Sequence, residues 1–163
     1  MKVKTLVTNA LIAALYIAVT GLIAPFAFNQ LQFRISEVFN HLIVFNKKYF
    51  FGIVLGVLLA NLFFSSLGAY EFIFGLSHSV ISLGITIFFS RYIKNKWILM
   101  GINTVAFSIN MFLIAWMLKL AIGVPDVFVV LWGILALEEF TVMFLGMFLM
   151  YAIHKRINFT KWV

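Results

Sequence analysis

Six apolar runs constrain this chain more than any other feature: Leu6 to Ile23, Ile35 to Phe45, Tyr49 to Leu67, Phe72 to Ser90, Trp97 to Leu118 and Val127 to Ile153. All but the second are long enough for a helix to cross a bilayer core, which takes about 17 to 25 residues. None shows the alternating polarity that strands of an outer-membrane barrel require. With 64% hydrophobic residues and only five acidic side chains in 163 residues, too little polar surface exists to cover a soluble globule. The sequence therefore predicts an all-α membrane protein, a six-transmembrane-helix bundle forming one integral domain over 1–163, multi-pass in the cell membrane. The first run exceeds a signal-peptide core and has no small-x-small cleavage pattern before Pro25, so it reads as helix one. The absence of cysteine removes disulfides, thiolate nucleophiles and iron–sulfur chemistry from consideration.

The second run is short. As α-helix its residues rise only about 16 Å, roughly half of a hydrocarbon core of about 30 Å, which predicts a tilted or partly inserted element. Charge arbitrates the topology. If all six runs cross, Lys2, Lys4, Lys47, Lys48, Arg91, Lys94, Lys96, Lys155, Arg156 and Lys161 share the side of the termini, and only Arg34 and Lys119 fall opposite. The positive-inside rule then places both termini in the cytoplasm. The net charge of +7 is thereby a topology signal and no nucleic-acid footprint.

Polar residues in such a chain are costly in hydrocarbon and mark its function. The densest cluster is Asn29 to His41, NQLQFRISEVFNH, which must face water, a ligand or itself. Glu71, Gly75, His78 and Ser82 fall on one helical face, Asn103 and Asn110 on another, and Asn61 lies toward the same outer half. Glu138 and Glu139 are adjacent in the last run and about 100° apart, so one of them reaches the bundle interior. A seam of Trp132, Glu139 and Gly146 would set an indole two turns above a carboxylate, suited to a flat, donor-rich ligand. The expected substrate-binding set is Gln32, Arg34, Glu37, His41, Asn61, Glu71, His78, Asn110 and Trp132, with Glu138 or Glu139. The loop from Pro25 to Gln32 is expected to close over the ligand.

Small residues at four-residue spacing let helix backbones approach closely. Ala10, Ala14 and Ala18 form one such stripe, open between internal packing and a partner interface, whereas Gly52, Gly56 and Ala60 favour internal packing. No phosphate-binding G-x-x-x-x-G-K-[ST] loop and no HExxH pair occurs, and His41, His78 and His154 are scattered. The chain reads as no enzyme.

Four segments, LQFRISE, LLANLF, EFIFGLSHS and ALEEFTVMFLG, resemble the QueT family of substrate-binding subunits, or S-components, of energy-coupling factor (ECF) uptake transporters. The resemblance covers nearly the whole chain. It implies a six-helix S-component-like bundle with its ligand site near the outer face. It also implies docking of the helix-one alanine stripe on a transmembrane coupling subunit of the EcfT type. Two cytoplasmic ATPases would hydrolyse the ATP, so no cofactor is expected in this chain. The implied ligand is a queuosine precursor, a 7-deazaguanine bearing an aminomethyl group, with Glu37, Glu71 and Glu138 or Glu139 accepting its N–H donors. The rival readings are an S-component for another vitamin such as cobalamin, and, in a different class, a membrane enzyme or a self-sufficient secondary carrier.

Overall fold

A computed structural model describes residues 3–23 and 34–163, and the described residues form helices and turns without a strand. Five helices are long and apolar enough to cross a membrane. They are α1 (Val3–Leu22), α3 (Phe50–Phe64, led in by a 3-10 turn at Lys47–Tyr49), α4 (Glu71–Phe89), α5 (Lys96–Ile122) and α6 (Phe128–Ile157). Large apolar side chains such as Leu11, Phe51, Leu55, Phe144 and Leu145 stand exposed on the outside of the bundle. Lipid solvates such side chains at no cost, so the exposure fits a bilayer and not water.

The remaining element, α2 (Ile35–Phe45), is the buried centre of the bundle. It winds as a 3-10 helix over Ile35–His41 and as an α-helix over Leu42–Phe45. A 3-10 helix rises about 2 Å per residue, so the segment extends about 20 Å where pure α-helix would give about 16 Å. It starts at Arg34 beside Glu71 and ends where the Val44 carbonyl accepts from Lys96 Nζ at 2.7 Å. The short element thus reaches from the Arg34–Glu71 contact to the Lys96 contact. From Ser36 to Phe45 every side chain but Phe39 is buried, so protein and not lipid surrounds it. A short helix suffices there, because its neighbours carry the span. The packing is close: a Cβ on Gly146 of α6 would stand 2.8 Å from a Val38 methyl.

Close approach also explains the glycines of α3. Gly52 N donates to Asn9 Oδ1 of α1 at 3.1 Å, and a Cβ at Gly52 would lie 2.7 Å from the Asn9 carbonyl oxygen. At Gly56 it would lie 2.7 Å from Tyr16 Cβ. Gly52, Gly56 and the buried Ala60 are therefore internal packing, as the spacing predicted. Gly52→Ala is expected to destabilise by about 1 to 3 kcal/mol, the usual cost of overpacking, because backbone stands in the way. Gly84→Ala, whose Cβ meets nothing within 4 Å, is expected to be neutral or to stabilise by up to about 1 kcal/mol. Thermal unfolding in detergent measures both, and equal effects would contradict this packing.

The start of α1 and the C-terminal residues meet at one end of the bundle. Thr8 Oγ1 donates to the Trp162 carbonyl at 2.9 Å, Tyr49 Oη to the Phe159 carbonyl at 2.8 Å, and the His154 ring stacks on Phe45 with centroids 4.0 Å apart. Lys4, Lys47, Lys48, Lys96 and Lys161 gather at this basic end, opposite Arg34 and Glu71.

Candidate functional site

The site occupies the end of the bundle away from the termini, where α2 and α4 begin. One terminal nitrogen of Arg34 donates to both carboxylate oxygens of Glu71, at 2.8 and 2.7 Å, and both residues are buried. Glu71 opens a π-helical turn, Glu71–Gly75, before α4 settles into α-helix. Such a turn widens the helix by one residue and recurs at functional sites. Asn61 Nδ2 donates to the Glu71 carbonyl at 3.2 Å, tying the end of α3 to this turn. Gly75 is required here: a Cβ would come within 2.8 Å of both Asn61 Nδ2 and Glu71 Oε2.

One turn deeper, α2 presents Ser36, Glu37 and Asn40. Ser36 ties to α1 through Thr20 Oγ1 at 2.8 Å. Asn40 Nδ2 donates to Glu37 Oε2, and the Tyr16 phenol lies beside Ser36 and Glu37. Glu139 of α6 is buried as well, on the helix that packs Gly146 against Val38 of α2. Glu138 is only partly buried, though its Oε2 is also buried without a hydrogen-bond partner. The two acids, equivalent by sequence, are separated by helix rotation. Glu37 Oε1, Asn40 Oδ1 and Glu139 Oε1 are buried without a hydrogen-bond partner. The cluster is rich in acceptors and short of donors, which suits a ligand that brings N–H groups.

Other residues of the expected set serve as clips between helices. His41 bonds the Met143 carbonyl of α6 at 2.8 Å through Nε2 and the Asn103 amide of α5 at 3.2 Å through Nδ1, so both ring nitrogens are used. His78 Nε2 meets the Phe107 carbonyl at 3.0 Å, leaving a buried Nδ1 without a partner. Asn110 Nδ2 donates to Ser82 Oγ at 2.9 Å on the α4–α5 seam. Trp132 Nε1 donates to the Ile109 carbonyl at 3.0 Å, and its ring packs with the apolar cluster around Met111 and Leu135. Gln32, Asn29 and the loop from Pro25 to Gln32 lie outside the described residues.

Tyr16, Thr20, Ser36 and Asn40 complete the cluster and were not among the expected residues. A signal for them exists in α1: Asn9, Tyr16 and Thr20 follow helical spacing, and with Thr5, Ile12 and Ala13 they make the buried face. Ala10, Ala14 and Ala18 lie on the opposite face and are exposed, so internal packing does not account for this stripe.

Residues 6–155, most of the chain, match the family described as QueT transporter. This chain belongs to the QueT transporter family. The QueT-family chain is 36% identical over 170 residues to the "Queuosine precursor transporter QueT" of Lactococcus lactis subsp. cremoris (strain MG1363), an alignment covering 98% of both proteins. No solved structure matches it. Family and apolar helices together make it a multi-pass membrane transporter and not an enzyme.

Proposed function

We propose that this QueT-family chain is the substrate-binding S-component of an ECF-type uptake transporter for a queuosine precursor. The observation that carries the reading is the two-faced α1: its polar face closes the acceptor-rich cluster through Tyr16 and Thr20, while Ala10, Ala14 and Ala18 stand exposed on the opposite face. One helix then serves ligand on one side and a coupling subunit on the other. The relative's printed substrate and the run of buried acceptors support a 7-deazaguanine, whose edge is rich in N–H donors. The reading takes six crossings with both termini in the cytoplasm, supported by the basic residues gathered at the end of the bundle where α1 meets the C-terminal residues. ATP is then hydrolysed by two partner ATPases, because this chain carries no phosphate-binding loop.

Uptake of a radiolabelled queuosine precursor into cells deprived of their own synthesis tests this. The chain alone is expected to bind the compound but not accumulate it, and co-expression with a coupling subunit and its ATPases is expected to restore accumulation. Full accumulation by the chain alone would establish a self-sufficient carrier in its place.

A further inference from the structure

We propose that the cationic cavity between the C-terminal end of α2 and the α4–α5 connection, together with the apolar groove along α4 and α5 beside it, binds one anionic phospholipid, its phosphate in the cavity and an acyl chain in the groove. The proposal stands on the membrane character of the chain and is independent of its substrate.

The cavity, of about 180 Å³, is walled by Val44 and Asn46 at the end of α2, by Ser90, and by Lys47, Lys94 and Lys96. Lys96 Nζ donates to the Val44 carbonyl at 2.7 Å, and Lys94 Nζ to the Ser90 and Arg91 carbonyls at 3.3 Å each. Capping of helix ends explains these two lysines singly. It does not explain the sum of the charges. A carbonyl accepts a bond without cancelling a charge, each ammonium has three donors, and among the described residues none of the three lysines forms an ion pair. Asn46 Nδ2 donates to the Val163 main-chain oxygen at 3.4 Å, and no aspartate or glutamate occurs in the segments that wall the cavity, 43–47 and 90–99. Three like charges around one opening repel, and an anion relieves them.

The groove, of about 510 Å³, is lined by Ile85 and Phe89 of α4 and by Ile98, Gly101, Val105 and Ile109 of α5, and it reaches Asn110. From Ile98 to Ile109 it climbs about 16 Å at the helical rise, which is the depth of one leaflet in a hydrocarbon core of about 30 Å. It is held open at Gly101, where a Cβ would meet nothing within 4 Å. Groove and cavity adjoin along the chain: Phe89 precedes Ser90, and Ile98 precedes Leu99, which also walls the cavity. Tyr92 and Trp97 are exposed at this level and mark the headgroup zone, where such rings gather. The length fits an acyl chain and the charge fits a phosphate, so one lipid accounts for both openings. A partner's helix would fill the groove and leave the lysines unmatched.

Native mass spectrometry of the detergent-purified chain, titrated with dioleoyl phosphatidylglycerol and dioleoyl phosphatidylcholine, tests the site. A basic side chain near an anionic lipid surface is usually worth about fivefold, so a preference of about 10- to 100-fold for phosphatidylglycerol is expected. Lys47→Gln combined with Lys94→Gln is expected to lose most of it. Lys155→Gln combined with Arg156→Gln, which removes the same charge from the exposed end of α6, is expected to keep it within about threefold. Lys94→Gln alone is expected to lose about fivefold and Lys94→Arg nothing, which decides the matter if the double variant does not fold. Gly101→Leu, which fills the groove, is expected to weaken phosphatidylglycerol about tenfold, and Gly84→Leu, equally open but outside the groove, to leave it unchanged. Equal affinity for the two lipids, or equal loss from both charge pairs, reduces the effect to diffuse attraction and overturns the proposal. Glycerol 3-phosphate binding as tightly as the lipid makes the cavity a site for a soluble phosphate and overturns the lipid assignment. Unchanged lipid affinity in Gly101→Leu overturns it as well, and lost co-purification of a partner subunit in that variant would name a helix as the groove's occupant.

Discussion

Glu71→Gln is expected to lower stability by about 3 to 5 kcal/mol, the cost of leaving one member of a buried ion pair without its partner. For a chain of this length that is a fall in melting temperature of roughly 10 to 15 °C. The Arg34 guanidinium donates twice to Glu71 in a buried position, and glutamine keeps the shape while removing the charge that offsets it. Removing both charges is another matter. Arg34→Met combined with Glu71→Leu is expected to recover most of the lost stability, because well-packed apolar residues often replace a buried pair at little cost. The double variant separates the structural role of the pair from its role in binding: it should melt near the parent and bind substrate weakly, since the π-helical turn is built around this contact. Thermal unfolding in detergent, read beside ligand titration, gives both answers. A Glu71→Gln variant that melts with the parent would mean that water or lipid headgroups solvate the pair.

Ala14→Trp is expected to abolish assembly with a coupling subunit, and with it ATP-driven uptake, while leaving ligand affinity of the solitary chain within about threefold. Apolar surface alone drives no association in lipid, so helices there depend on backbones approaching across small residues, and an indole in the groove holds them apart. The selectivity of the effect comes from the geometry of α1. Ala14 is exposed, whereas Tyr16 and Thr20, which reach the polar cluster, lie on the other face. Leu137→Trp, at an exposed position of α6, serves as the comparison and is expected to assemble normally. Co-purification from detergent measures assembly, and calorimetry measures affinity. Normal assembly of the Ala14 variant would place the partner surface elsewhere on the bundle.

The polar core also explains why α2 is wound as it is. A helix surrounded by protein is free of the hydrophobic length that lipid demands, and its 3-10 turns bring Ser36 onto α1 and His41 onto α5 and α6, with Glu37 and Asn40 bonded to each other between them. Placing so many polar groups at the centre of an apolar bundle is tolerable because most are paired across helices. Among the described residues the buried side-chain atoms left without a partner are Asn9 Nδ2, Glu37 Oε1, Asn40 Oδ1, His78 Nδ1, Glu138 Oε2 and Glu139 Oε1, most of them acceptors.

Membrane class, the long helices and the polar segment before α2 were legible in the chain itself, because the bilayer imposes one rule on every exposed residue and composition reports it directly. The close approach at Gly52, Gly56 and Ala60 was legible too, since spacing of small residues is local information. The choice between Glu138 and Glu139 was not. Adjacent residues on a helix differ by about 100°, and which direction is inward depends on where α2 and α1 pack, which no periodicity in α6 records. The outward face of the Ala10, Ala14 and Ala18 stripe was undecidable for the same reason: small residues mark a contact without saying whose. The interhelical bonds of His41, His78 and Asn110 required their carbonyl and hydroxyl partners to be seen, 102, 29 and 28 residues away along the chain. Sequence determines what each helix must hide from lipid, and only the tertiary packing decides which hidden polar atoms find one another and which are left for a ligand.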